Sequence, residues 1–256
     1  MPGLPPQLEG VRIAHLSDLH LGSPSRSVKA IERAVAWVEE RRPDLVAITG
    51  DLLARRSGEP ALRRLLERLP GAFAVLGNHD LALSRDPFSQ PAELKDLSPV
   101  ILLADSSRLV ELRGLRVQIA GLHALAGWRL PASPGALVDS AADFRILLTH
   151  VPRLVDRLQR GWFDLVLAGH MHGGQINIPY GWGKLRLAHP SARYTEGIYR
   201  TNTTVMHVSP GLGTTFVPFR FLARPEATEL VLEAAPRGLA LPDSDADGRS
   251  GIARPS

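Results

Sequence analysis

The composition of this 256-residue chain predicts a folded protein, because 44% apolar and 22% charged residues exclude disorder throughout. Thirty basic and 26 acidic residues leave a formal charge of +4, which by itself does not indicate nucleic-acid binding. The chain has no cysteine, which excludes disulfides, thiolate metal sites and a cysteine nucleophile. Any metal must therefore be held by oxygen and nitrogen atoms.

The beginning of the chain has neither the charged region nor the apolar region of a signal peptide. No run approaches the roughly 18 apolar residues of a membrane-spanning helix. From these two observations we expect a cytoplasmic protein without a transmembrane segment.

Strands and helices alternate in the N-terminal third. Short apolar runs predict buried strands at 11–16, 45–49 and 72–76. Apolar residues at helical spacing predict helices over 28–42, before Pro43, and over 60–68. This order is typical of a parallel or mixed sheet with helices outside it.

The rest of the chain is rich in predicted strands. Runs at 109–112 and 115–120 flank Arg113-Gly114 and predict a hairpin that extends the sheet, and further strands are expected at 144–149 and 165–168. After residue 175, runs at 175–178, 203–208 and 227–232 predict a second, more antiparallel sheet. We expect one domain over residues 1–234 and a mobile C-terminal tail over 235–256.

Polar side chains follow five of the predicted strands, and strand ends meet at one edge of an open sheet. Asp18 and His20 form an i, i+2 pair, as do His170 and His172, and such pairs project to one side of an extended backbone. Flanking glycines are expected to let the chain turn sharply there. Seven side chains exceed the needs of one four-ligand metal, whereas two metals that share Asp51 would have four ligands each. The seven are Asp18, His20, Asp51, Asn78, His150, His170 and His172.

These residues spell D-x-H, G-D, G-N-H-D, a lone H and G-H-x-H in that order. The pattern resembles the calcineurin-like metallophosphoesterase family, and the resemblance spans residues 11–234. More narrowly, GHMHGGQ at 169–175 and PGLGTT at 210–215 are similar to its phosphodiesterase branch, which includes the UDP-2,3-diacylglucosamine pyrophosphatase type.

The resemblance implies an α/β fold, a four-layer αββα sandwich of two mixed sheets flanked by helices. It implies one metal on Asp18, His20, Asp51 and His172 and a second on Asp51, Asn78, His150 and His170. His79 would contact the phosphate and protonate the leaving oxygen, and Asp80 would orient its imidazole.

We accordingly expect cleavage of a phosphodiester or pyrophosphate bond by a hydroxide that bridges two divalent ions. Oxygen and imidazole ligands suit manganese, our first expectation, and also iron, zinc or cobalt. The expected substrate is small or lipid-linked. Asn78, His79 and His123 are the candidate substrate contacts, although His123 stands where relatives often have an Asp-Asp pair.

Two alternatives remain open. One is a nuclease acting on DNA or RNA, and the other is a non-catalytic interaction scaffold on the same fold, which would be expected to lack ligands. Outside the motif, we interpret His15, His189 and His207 as ordinary strand or surface histidines. Trp182 and residues 216–221 are expected to pack in the core, with peripheral membrane contact as the alternative.

Overall fold

The structure is a computed structural model, and it describes residues 1–25, 27–87, 89–90, 94–123, 134–181, 183–188, 190–201 and 204–235. Trp182, His189 and all of the expected C-terminal tail except Ala235 lie outside these residues. The described α-helices are α1 (Val28–Arg41) and α2 (Glu59–Leu66). The described strands are β1 (Arg12–Leu16), β2 (Leu45–Thr49), β3 (Phe73–Val75), β4 (Ile101–Leu102), β5 (Ser106–Leu112), β6 (Leu115–Leu122), β7 (Phe144–Thr149), β8 (Leu165–Ala168), β9 (Asn177–Tyr180), β10 (Gly183–Arg186), β11 (Gly197–Thr201), β12 (Thr204–Val208) and β13 (Thr228–Val231).

The strands form two mixed sheets and one separate hairpin. The first sheet has the order β13-β1-β2-β3-β4 and the second the order β11-β12-β8-β7-β6-β5, while β9 and β10 form a two-stranded sheet with each other. In the first sheet β1 to β4 run parallel and β13 runs antiparallel to β1. The expected α/β sandwich is confirmed.

The predicted second sheet after residue 175 is wrong. The division between the sheets falls earlier, between β4 and β5, so the predicted hairpin β5-β6 lies at the edge of the second sheet. Of the later strands, β12 lies parallel to β8 in the second sheet, whereas β13 returns to the first. The short apolar runs gave no information about which earlier strand each would pair with.

The alternation of side chains along β1 explains the layers. Ile13 packs between the two sheets with Ala47, Ile119 and Ile146, whereas Ala14 and Leu16 face α1 and α2. The outer face of the second sheet is covered by apolar side chains that include those of a 3-10 helix at Pro152–Arg157. Neither described α-helix has the length and apolar character needed to cross a bilayer.

Candidate metal centre

The predicted site residues lie at the carboxyl ends of five strands that belong to two sheets. From the first sheet, β1 leads to Asp18 and His20, β2 to Asp51, and β3 to Asn78 and His79. From the second, β7 leads to His150, and β8 leads to His170 and His172. Both sheets therefore contribute to one cluster, where the sequence argument expected the edge of a single open sheet.

Five of these side chains stand on backbone that is unusual for residues other than glycine. The φ angles are 53° at Asp18, 46° at His20, 54° at Asp51, 74° at His170 and 50° at His172. Left-handed conformations of this kind cost free energy and concentrate at functional sites. The strain turns each side chain into the cluster directly after its strand or loop.

The flanking glycines serve two different purposes. Gly50 has φ 89°, which fits the expected sharp turn, but Gly77 and Gly169 do not have left-handed φ angles. A Cβ at Gly77 would overlap Asp51 Oδ1, and one at Gly169 would lie 2.5 Å from Asp18 Oδ2. These two glycines make room for the carboxylates.

The first group of potential ligands comprises Asp18, His20, Asp51 and His172, all buried, each offering an atom within 4.8 Å of the others. His20 Nε2 lies 3.4 Å from Asp51 Oδ2, and His172 Nε2 lies 3.4 Å from Asp18 Oδ1. The two imidazole nitrogens are 3.1 Å apart. Two carboxylates and two imidazoles thus converge on one small volume.

The second group comprises Asp51, His150 and His170, so Asp51 belongs to both. His150 Nε2 lies 3.2 Å from Asp51 Oδ2, 3.1 Å from His170 Nδ1 and 3.1 Å from Asn78 Oδ1. Asn78 lies beside the second group through His150, so the seven side chains singled out in the sequence lie together.

Burial disfavours the ionised form of each side chain in this cluster, and the neighbouring charged groups decide whether its pKa rises or falls. Although burial disfavours an ionised Asp51, the neighbouring His150 and His79 hold the pKa of its carboxyl well below the usual range. Burial likewise opposes protonation of His150, yet Asp51 and Asp18 raise the pKa of His150 to about 9. Burial raises the pKa of Asp18 to about 6. The geometry favours positive charge beside Asp51.

The donor set fits divalent metal ions. His150 Nδ1 donates to the Thr49 carbonyl oxygen at 2.8 Å, so a metal ion that replaced the proton on Nε2 would find this nitrogen facing acceptor oxygens of Asp51 and Asn78. Within the described part of the chain, the buried His20 Nδ1 has no hydrogen-bond partner. Lone pairs that face one another need a cation between them, and the oxygen and imidazole donors are those that manganese, iron, zinc and cobalt accept.

The His79 ring lies beside the first group, held by the loop that follows it. Its Nε2 is 3.8 Å from Asp51 Oδ2 and 2.9 Å from Ser84 Oγ, and its Nδ1 is 2.9 Å from Ser89 Oγ. Ser89 Oγ also donates to the Ala54 carbonyl oxygen at 3.2 Å, so it can accept a hydrogen from His79 Nδ1. These contacts turn Nε2 toward the cluster.

Asp80 makes contacts different from those expected. Among the described hydrogen bonds, its carboxylate does not contact the His79 ring. Instead, Oδ1 accepts the N–H groups of Leu52 and Leu53 at 2.8 and 3.0 Å, and Oδ2 accepts that of Gly77 at 2.9 Å. Burial raises the pKa of Asp80 to about 7. Asp80 thereby joins the loops after β2 and β3, which carry Asp51 and His79.

The family model described as calcineurin-like phosphoesterase matches residues 11–174, which include all seven proposed ligands. This chain belongs to the calcineurin-like phosphoesterase family. The phosphoesterase is 29% identical over 233 residues to the uncharacterized metallophosphoesterase YkoQ of Bacillus subtilis, covering 88% of this chain and 84% of YkoQ. It is 30% identical over 246 residues to YkuE of the same bacterium, covering 90% and 82%. It is 26% identical over 227 residues to phosphodiesterase YaeI of Escherichia coli, covering 86% of this chain and 82% of YaeI.

Arg220 of the phosphoesterase, which is partly buried, contacts His172 on the side of the ring opposite Asp18. Its guanidinium donates to the carbonyl oxygens of Gly213, Pro210 and His172, and Nη2 lies 3.1 Å from His172 Nδ1. Burial lowers the pKa of Arg220 to about 10. The contact leaves His172 Nε2 directed at Asp18. The sequence analysis singled out the neighbouring residues 210–215, but it did not reveal this role of Arg220.

His123 lies at the same sheet edge as the proposed ligand His150. In the register of β6 and β7, Leu122 is opposite Thr149, so the next residues along the chain are His123 and His150. The ring is half-buried, and its buried Nε2 has no hydrogen-bond partner among the residues that the structure describes. Substrate contact by His123 stays a prediction.

His15 and His207 contact each other between the two sheets. Their Nδ1 atoms are 2.8 Å apart, and His15 Nε2 lies 2.9 Å from Thr49 Oγ1. Thr49 Oγ1 in turn donates to Ser17 Oγ at 2.8 Å, next to Asp18. These histidines, interpreted from the sequence as ordinary, join the sheets directly behind the ligands.

Replacing Ser89 by alanine is expected to lower kcat roughly 10- to 100-fold on phosphodiesters, because the His79 ring loses the partner of its Nδ1. KM and metal content should change little, since the serine contacts neither cluster of ligands. Steady-state kinetics with Ser107→Ala, on β5, as a matched control checks this. A kcat equal to that of the wild type would show that Ser89 does not position His79.

Proposed function

We propose that this phosphoesterase hydrolyses a phosphodiester or pyrophosphate bond with the help of two divalent ions. The single observation that carries the proposal is Asp51, whose Oδ2 lies 3.4 Å from His20 Nε2 in one ligand group and 3.2 Å from His150 Nε2 in the other. A carboxylate shared in this way supports two ions at one edge of the molecule. Manganese is the proposed metal, with iron, zinc and cobalt compatible with the same donors.

The ligand sets are proposed as the resemblance implies. Asp18, His20, Asp51 and His172 would hold one ion, and Asp51, Asn78, His150 and His170 the other. When bound, two such ions acidify water and neutralise charge that develops on the phosphoryl oxygens. The chain itself would orient the ligand side chains through the left-handed backbone conformations of five of these residues.

His79 is the proposed acid. Its position next to Asp51 and its hydrogen bonds with Ser89 and Ser84 support a fixed Nε2 that delivers a proton to the leaving oxygen. Asn78 and His123 are the further candidate contacts to substrate. Asp80 acts, in this proposal, by holding the backbone on which His79 and Asp51 stand.

The proposed substrate is a small or lipid-linked diester or pyrophosphate, and the proposed catalytic domain is residues 1–234. YaeI bears the name phosphodiesterase and YkoQ and YkuE the name metallophosphoesterase, which supports ester hydrolysis and a preference for diesters. A cytoplasmic location stays a prediction, to be checked by cell fractionation.

The test is hydrolysis by metal-stripped protein that is resupplied with manganese, zinc, iron, cobalt or magnesium. The substrates are a nitrophenyl phosphodiester, the corresponding monoester, a UDP-linked pyrophosphate and a short single-stranded DNA. We expect activity to vanish on stripping and to return with metal, highest on the diester or the pyrophosphate.

Each other outcome has a definite meaning. Preferential cleavage of DNA that weakens steeply with salt would favour the nuclease. Two ions bound per chain without turnover of any substrate would favour the scaffold and contradict the proposal.

A further inference from the structure

One face of the β9-β10 hairpin is apolar and exposed. In its register, Ile178 lies opposite Leu185, and the Leu187 N–H donates to the Ile176 carbonyl oxygen. Paired residues and residues two apart share a face, so Ile178, Tyr180, Leu185 and Leu187 lie on one side. Their exposed fractions run from 42% to 79%. We name this surface the hairpin face.

The hairpin face continues onto the segment that precedes β13. Phe221 pairs with Ile176 through a parallel bridge, which places its half-exposed ring on the same side as Ile178. The Asn177 N–H donates to the Phe221 carbonyl oxygen and the Phe221 N–H to that of Gln175, each at 2.9 Å. In the same loop, the side chains of Phe216 and Phe219 are also half exposed. The sequence-based expectation of core packing for this segment is therefore wrong at these three phenylalanines.

The other side of the hairpin packs against the loop that carries His172. Asn177 is fully buried and its Nδ2 donates to the Gly173 carbonyl oxygen at 3.0 Å, one residue after His172. The stem of Arg186 packs against Gly174, where an added Cβ would lie 2.8 Å from Arg186 Cγ. The hairpin face is consequently fixed to the loop that carries His172.

The charges around the hairpin face indicate what covers it. Residues 175–188 and 213–225 contain four basic residues and no aspartate or glutamate. Arg220 is used internally, Lys184 is half exposed and lies 4.0 Å from a carboxylate oxygen of Glu196, and Arg224 is exposed. Long basic side chains bordering aromatic and aliphatic groups match an anionic lipid surface, with apolar groups among the acyl chains and cations at the headgroups. A second copy would bring like charges together.

We propose that the hairpin face docks on a bilayer that contains anionic lipid, with the metal centre next to the membrane surface. Docking is independent of the proposed hydrolysis, since it needs neither metal nor turnover. Binding should weaken as salt rises, because part of it is electrostatic.

The experiment is co-sedimentation of the full chain with vesicles of phosphatidylcholine alone or mixed with phosphatidylglycerol. We expect binding to the mixed vesicles and little to phosphatidylcholine. The double variant Tyr180→Ser/Leu185→Ser should bind the mixed vesicles at least roughly tenfold more weakly, because binding scales with the apolar area buried. Its hydrolysis of a soluble nitrophenyl diester should equal that of the wild type.

The matched control is Leu109→Ser/Ile198→Ser, which alters two comparably exposed apolar residues on β5 and β11 of the second sheet and should bind like the wild type. Equal binding by the wild type and the Tyr180→Ser/Leu185→Ser variant would overturn the proposal. So would a wild-type dimer, seen by sedimentation velocity, that this variant dissociates, because a second copy would then cover the hairpin face.

Discussion

Replacing Asp51 by asparagine is expected to lower kcat/KM by roughly a thousandfold or more, even at saturating metal. Asparagine keeps the shape of the aspartate side chain, and its Oδ1 can still accept the 2.9 Å hydrogen bond from the backbone N–H of His79. The substitution removes the negative charge that both ligand groups share. Charge stabilisation by a metal site amounts to several kcal/mol, and each 1.36 kcal/mol corresponds to a tenfold change in rate.

The measurement combines diester kinetics with the metal content of the purified variant. The control is Asp156→Asn, whose half-exposed carboxylate contacts the Tyr194 hydroxyl away from the cluster and should leave both quantities unchanged. Full activity of Asp51→Asn at limiting metal would contradict the shared-ligand proposal.

Replacing His79 by alanine is expected to lower kcat about 10²- to 10⁴-fold on diesters with poor leaving groups, while metal binding is retained. The reason is the position of the ring, which lies beside Asp51 but is held by Ser84 and Ser89. An alkyl leaving group needs a proton, whereas a nitrophenolate needs little help. The loss should therefore be much smaller on a nitrophenyl diester.

A double-variant cycle sharpens this prediction. If Ser89 acts only through His79, the variant lacking both side chains should be no slower than His79→Ala alone. Losses that multiply would show that Ser89 has a separate function, and an equal loss on alkyl and nitrophenyl diesters would contradict the role of His79 as an acid.

The strand ends could be predicted because their signal is local. An apolar run followed by polar residues marks the end of β1 shortly before Asp18 and the end of β7 directly before His150. This signal does not depend on contacts with distant parts of the chain. Spacing of two residues likewise placed His170 and His172 together. The strands at 45–49, 144–149 and 165–168 agree with the structure residue for residue.

Contacts between distant segments could not be predicted from one sequence. Arg220 reaches His172 across 48 positions and His15 meets His207 across 192, and no local pattern encodes either pair. The role of Gly77 was also hidden, because the need for space beside Asp51 depends on how two loops approach each other. Sheet membership of β12 and β13 was unpredictable for the same reason.

The ligand cluster draws on β1, β2 and β3 of one sheet and on β7 and β8 of the other, so it spans the seam between the halves of the sandwich. Ions held there would stabilise the packing of the two sheets against each other, because the complete binding site exists only while the sheets are packed together. Occupancy and folding are then thermodynamically linked, and free ion at a hundredfold excess over its dissociation constant adds about 2.7 kcal/mol to the free energy of unfolding. A chelator should consequently lower the melting temperature of the whole sandwich.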